Sequence, residues 1–324
     1  MKRLTIFAML ILWAGWLCSS AMGQDAERSG GMSDKKLLAK YSLDNFGQRK
    51  IGRGMNMYSP REEMEEGDEM SEEVEHSTRL IDNEIVALYL NQLGQRLAAH
   101  SEADMPLRFK VLDSDEVNAF ALPNGVVYVN SGLLLMANNE AELAGVLSHE
   151  IAHVACHHGV RNETKRQMLG LGNLAVMMLT GGVSGMVAKP AANFGAQAMA
   201  LKFDRDAERE ADILGLEYSY LSGYDPQAFV SIMERIGESD TKHHGRLEKA
   251  FSTHPETAER VAQARHVISL LLPKQDDYVV DSSDFQTARR TLANLQGRIV
   301  DADQLPRPQL RHISRLMPIS RRGE

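Results

Sequence analysis

The sequence predicts an α+β domain, mainly helical with a small β-sheet. Three observations carry that expectation. Val86, Tyr89, Leu90, Leu93 and Leu97 recur at three- and four-residue steps, the period of an amphipathic helix over about 80–99. Leu107 to Val111 alternates apolar and polar, and Val126 to Val129 is short, β-branched and preceded by the turn Pro123-Asn124-Gly125, so the two segments read as paired strands. Glu140 to Gly159 reads as a long helix, with Asn138-Asn139 placed to cap it.

In chain order, residues 1–23 read as a signal peptide. Lys2 and Arg3 form a basic start, Leu4 to Leu17 is uncharged and mostly apolar, and Ala21-Met22-Gly23 fits a small-residue cleavage site that leaves Gln24 first. The apolar run is too short and too poorly flanked for a membrane span. The chain is therefore expected to be exported, to a periplasm. Cys18 follows Trp16-Leu17 rather than the small residue usual before a lipid-attachment cysteine, so simple cleavage is favoured over lipid anchoring. Cys156 is then the one cysteine of the mature chain, and no internal disulfide forms.

Residues 24–74 form a polar, acidic leading segment. It has no sustained period up to about residue 60, as in a loosely ordered stretch. Nine acidic residues follow between Glu62 and Glu75, as on a solvated helix start or linker. Residues 75–272 hold the main domain. Within it, Gly132 to Ala137, Ala207 to Ser222, Gln227 to Ile236 and Pro255 to Leu272 read as further helices. Leu169 to Val187 carries no charge over nineteen residues but contains five glycines. A buried or flap-like helical hairpin is favoured there, because both ends must return to one site; contact with a membrane surface and a true span are the alternatives. Residues 273–324 give a short strand at Tyr278 to Val280, a helix at Phe285 to Leu295 and an Arg- and Pro-rich tail. The 324 residues, 43% of them hydrophobic, suffice for one sizeable core. A net charge of −8 argues against nucleic acid as the main partner.

The chemistry is concentrated in His149-Glu150-Ile151-Ala152-His153. Residues four apart lie on one helix face, so both imidazoles can reach one zinc ion. Glu150, one step round, can act as base on a water without ligating. Catalytic zinc needs a third protein ligand. A histidine six residues after His153 would fall on Gly159, which excludes that pattern. His157 and His158 are weaker candidates, because three successive turns of one helix converge poorly on one ion, and Cys156 reads as a small buried residue. Glu208-Arg209-Glu210-Ala211-Asp212 supplies a better set. Glu208 and Asp212 share a face, so Glu208 can ligate while Asp212 accepts the second N–H of a ligating histidine. Glu210 should face elsewhere.

With these residues the chain resembles the gluzincin peptidases that include HtpX and the CAAX prenyl protease. Two further segments extend the resemblance, Asn118 to Gly125 and Phe251-Ser252-Thr253-His254-Pro255 with Arg260, so that it covers about residues 75–272. Those families' multiple membrane helices are absent, and the overall look is similar to the exported bacterial BepA-like branch without its repeat domain. The resemblance implies a zincin-type fold with an active-site edge strand at Val126, Val127 and Tyr128, led into by Asn118, Ala119 and Phe120, and an extended substrate paired along it. It also implies an oxyanion donor from His254 and Arg260. The expected function is a zinc metalloendopeptidase, one Zn2+ per chain, cleaving unfolded or misassembled proteins in the cell envelope. His254 could instead occupy the fourth zinc position and leave the site latent. The competing class is a binding protein or chaperone with structural zinc, for which Glu150 would have no use.

Overall fold

The long helix expected over 140–159 forms as α5, Glu140–Ala155, and it is the centre of the molecule: every residue of it is buried. The computed structural model describes residues 32–179, 203–242, 254 and 258–297. The expected signal peptide with Cys18, residues 180–187 of the uncharged stretch, Phe251 to Thr253, Pro255 and the tail from 298 lie outside them. Asn139 caps α5, its side chain accepting the Glu142 N–H at 3.0 Å. The helix stops early because His157 turns into the left-handed region, φ 52°, which few non-glycine residues enter. Glu63 holds it there, with both carboxylate oxygens 2.9 Å from His157 Nδ1.

The hydrogen bond to Glu63 raises the His157 pKa above the ordinary value, and burial opposes this. A raised folded pKa means that the contact's contribution to stability is full below the unfolded value, about 6.5, and is lost as pH rises through the folded value. His157→Gln is therefore expected to lower the thermal midpoint most at acid pH. The gap from the parent should close toward alkaline pH, as read by melting both proteins across a pH series. A gap independent of pH would remove the ion pair from the account.

Helix α6, His158–Leu179, takes up the chain after that turn and runs unbroken into the first part of the uncharged stretch. No helix among the described residues is long and apolar enough to cross a membrane. Helix α7, Arg205–Leu221, is capped by Asp204, which accepts the Ala207 N–H at 2.9 Å, and packs closely on α5. Gly215 permits that approach: a Cβ there would lie 2.9 Å from the His149 backbone N and Cα. Glu208, Asp212 and Gly215 are spaced four and three residues apart, so the face that touches α5 is also the one that carries the carboxylates.

The sheet has three strands, β1 Arg108–Leu112, β2 Ala119–Ala121 and β3 Val126–Asn130, in the order β1-β3-β2. β1 does pair with β3, in parallel, while β2 adds on the other side as an antiparallel hairpin. Gly125 makes the hairpin turn at φ 76°, and a Cβ there would meet the Pro106 carbonyl oxygen at 2.5 Å. β3 is thus central, and all five of its residues are buried. Phe109, Val111, Val127 and Val129 join the main core beside α5 and α3, Glu84–Ala98. On the opposite face, Val126, Tyr128, Phe120 and Leu112 pack with Met70 and Val74 of α2, Pro60–Ser77. The acidic run is therefore one helix with an apolar stripe, started by a Ser59–Glu62 capping box.

The stretch expected to be loosely ordered also packs. Helix α1, Asp34–Tyr41, buries Leu37 and Tyr41. Behind it Arg49 is buried between Glu102 at 2.7 Å and Glu217 at 2.5 Å. The guanidinium offsets the cost of burying the two carboxyl groups beside it. The remaining described helices are α4 Ser131–Met136, α8 Gln227–Lys242, α9 Ala258–Leu271 and α10 Ser283–Leu295. Phe285, Ala288 and Leu292 of α10 enter the main core. The strand expected at Tyr278 to Val280 is a single bridge from Val279 to Tyr224.

Candidate metal centre

His149 and His153 stand one turn apart on α5, and Glu208 reaches them from the first turn of α7. His149 Nε2 lies 3.1 Å from His153 Nε2, and the two Glu208 oxygens lie 3.6 and 3.7 Å from these nitrogens. Donors bound at roughly 2.0–2.2 Å in a tetrahedron stand roughly 3.3–3.6 Å from one another, so the three are spaced for a single ion. His254 is the fourth member of the cluster. Its Nδ1 lies 3.4 Å from His149 Nε2 and 2.7 Å from Glu208 Oε1, and the donor atoms of all four residues fall within 4.8 Å of one another. Two imidazoles and a carboxylate, all buried, suit a transition-metal ion.

The electrostatics agree. Burial opposes charge on Glu208, yet the neighbouring imidazoles outweigh it and hold its carboxyl well below the usual range. Burial also opposes charge on His149, but Asp212 and Glu208 lift it to about 9. Burial, with His254 and His149 beside it, holds His153 well below the ordinary value, so this imidazole favours the neutral form that ligates. Phe229 stacks on His149, and Phe203 lies against His153 and His254, so aromatic walls limit water.

Glu150 is 1% exposed, and burial raises its carboxyl above the ordinary value. The backbone N–H of Ala121 beside it acts against that rise. Its Oε1 has no hydrogen-bond partner among the described residues and lies 3.6 Å from His254 Nε2. A buried carboxylate oxygen with no hydrogen-bond partner among the described residues is free to accept a proton from a group brought beside the cluster.

Residues 84–268 match the profile of Peptidase family M48. The chain belongs to Peptidase family M48. It is 32% identical over 240 residues to the beta-barrel assembly-enhancing protease of Escherichia coli K12, covering 71% of this chain and 48% of that protein. It is 30% identical over 190 residues to the metalloprotease YcaL of the same strain, covering 57% of this chain and 73% of that protein. To the mitochondrial metalloendopeptidase OMA1 of Schizosaccharomyces pombe it is 34% identical over 179 residues, covering 54% and 50%. The chain spans about half the length of the first of these relatives.

Within this M48 domain two expectations need correction. Val126, Val127 and Tyr128 cannot form the edge strand, because β3 has β1 on one side and β2 on the other. The edge that faces α5 is β2, with Ala119 and Phe120 on it and Ala121 beside Glu150. Asn118, just before β2, accepts the Asn130 N–H at 3.0 Å. Arg260, expected as an oxyanion donor, instead grips Asp212 through Nε and Nη2 at 2.9 and 2.7 Å, and its Nη1 is 3.0 Å from Glu208 Oε2. Its charge braces the carboxylates from α9. Asp212 Oδ1 lies 3.0 Å from His149 Nδ1.

Helical spacing leaves His158 a weak ligand candidate and turns Glu210 away from Glu208. His158 Nδ1 is 3.0 Å from His153 Nδ1, and Glu210, 5% exposed, lies beyond it. No local signal marks Glu210, since its partners come from α1 and α6.

Proposed function

We propose that this chain is a zinc metalloendopeptidase acting on unfolded or extended polypeptides in the cell envelope. The observation that carries the reading is Glu150: a buried carboxylate with one unpartnered oxygen beside a His-His-Glu donor set. A purely structural metal site has no use for it. His149, His153 and Glu208 would hold one zinc ion. When bound, zinc supplies a Lewis acid for the scissile carbonyl and lowers the pKa of water. Glu150 takes the attacking water's proton and returns it to the leaving amine. The edge of β2 pairs with an extended substrate backbone, which selects unfolded chain over sequence. Phe203 and Phe229 shield the site from bulk water.

A second reading concerns His254. Its Nδ1, 3.4 Å from His149 Nε2 and 2.7 Å from Glu208 Oε1, would serve as a fourth donor, and the peptidase would then open when His254 swings away. The test uses the mature chain with an unfolded protein as substrate. Cleavage should stop with a chelator and return with zinc, and His254→Ala should raise the rate several-fold. A fall of roughly 10²–10³-fold in kcat would make His254 an oxyanion donor instead. No chelator-sensitive cleavage by either protein would sink the peptidase reading. Export predicts a purified periplasmic chain that starts at Gln24; a lipid on Cys18 would correct that.

A further inference from the structure

His153 turns Nε2 toward the metal-type cluster, which leaves Nδ1 to find a partner. The partner is His158, at 3.0 Å between the two Nδ1 atoms. One proton serves that contact. A neutral histidine ligating through Nε2 carries its proton on Nδ1, so His153 donates and His158 accepts. The proton of His158 then sits on Nε2, which lies 3.5 Å from Glu210 Oε2. The other oxygen of Glu210 takes Lys40 Nζ at 2.8 Å and Tyr41 OH at 3.0 Å, both from α1. His149 has the parallel arrangement in shorter form, with Asp212 on its Nδ1 and Arg260 behind. Each of the two histidines is thus backed by a buried carboxylate, and each carboxylate is held by a cation.

We propose that His158 and Glu210, clamped by Lys40 and Tyr41, position His153 as a metal ligand, so that helix α1 is part of the support of the metal centre. The proposal rests on the zinc reading of His149, His153 and Glu208. Cys156, His158 and Glu210 also have donor atoms within 4.8 Å of one another, which raises the question of a second ion. Lys40 argues against it: its ammonium already neutralises Glu210, and a second cation would have to displace it. His158 Nδ1 is likewise committed to His153.

The experiment titrates the mature chain with zinc against a chromophoric chelator. His158→Phe keeps a planar ring and removes the acceptor; His158→Gln restores an acceptor; Lys40→Met and Glu210→Gln act further out. His158→Phe is expected to weaken zinc by about 10–100-fold. His158→Gln should recover most of that, and Lys40→Met should show a smaller loss in the same direction. Substrate KM should not move, while kcat falls at limiting zinc. Should His158→Phe fail to fold, Lys40→Met and Glu210→Gln decide the matter. Parent-like zinc affinity in the folded variants would overturn the proposal. Two zinc ions on the parent, falling to one in Cys156→Ser, would replace it with a second metal site. A parent that binds no zinc would instead remove the metal reading beneath it.

Discussion

Glu150→Gln is expected to lower cleavage of an unfolded protein by about 10²–10⁴-fold, the usual worth of a general base. Zinc content should stay at the parent level, because Glu150 is not among the four clustered donors. Glutamine has nearly the shape of glutamate, so the packing around a side chain 1% exposed is kept. β2 stays in place through its pairing with β3, which the substitution does not touch. What is lost is a group able to take up a proton. Cleavage rate, zinc count and thermal midpoint are measured side by side. A loss below tenfold at equal zinc would take the base role from Glu150. A large loss together with lost zinc would mean that the substitution acts through the metal.

Glu208→Ala is the second large effect. It removes the one carboxylate that touches both α5 imidazoles and also partners His254 and Arg260. Zinc affinity should fall by more than the about 10–100-fold expected for an outer partner. The thermal gain on adding zinc, present in the parent by linkage, should disappear. The zinc-free protein should change less, because Arg260 keeps both of its hydrogen bonds to Asp212. Glu208→Gln separates the two effects, since it keeps the hydrogen bonds and weakens the ligand. Zinc bound at parent strength by Glu208→Ala would assign the third ligand elsewhere, His254 being nearest.

Much of the centre was legible because its parts are local. His149, Glu150 and His153 lie within one turn, and helical geometry alone puts both imidazoles on one face with the acid beside them. Glu208 and Asp212 repeat that argument on α7. The same reasoning failed where a residue's partner is distant in the chain. Arg260 offers a cation to the region, but only the packing of α9 on α7 commits it to Asp212 and Glu208. Glu210 does face away from Glu208, yet away is not outward here, because α1 and the start of α6 cover that side. Strand order failed for the same reason. Val126 to Val129 reads equally well as an edge or a centre, and the apolar alternation of neighbouring segments does not say which side each joins.

The sequence by itself determined the helices that carry the ligands, the caps that start them, the turn at Gly125 and the donor types that suit zinc and a base. Each of these follows from spacing within a few residues. The tertiary structure alone decided that β2 is the edge beside Glu150, that Arg260 is committed to Asp212 and Glu208, and that α1 reaches the back of His153 through Glu210 and His158. Those outcomes depend on how apolar faces far apart in the chain are buried against one another, and local periodicity specifies that a face exists without naming what it meets.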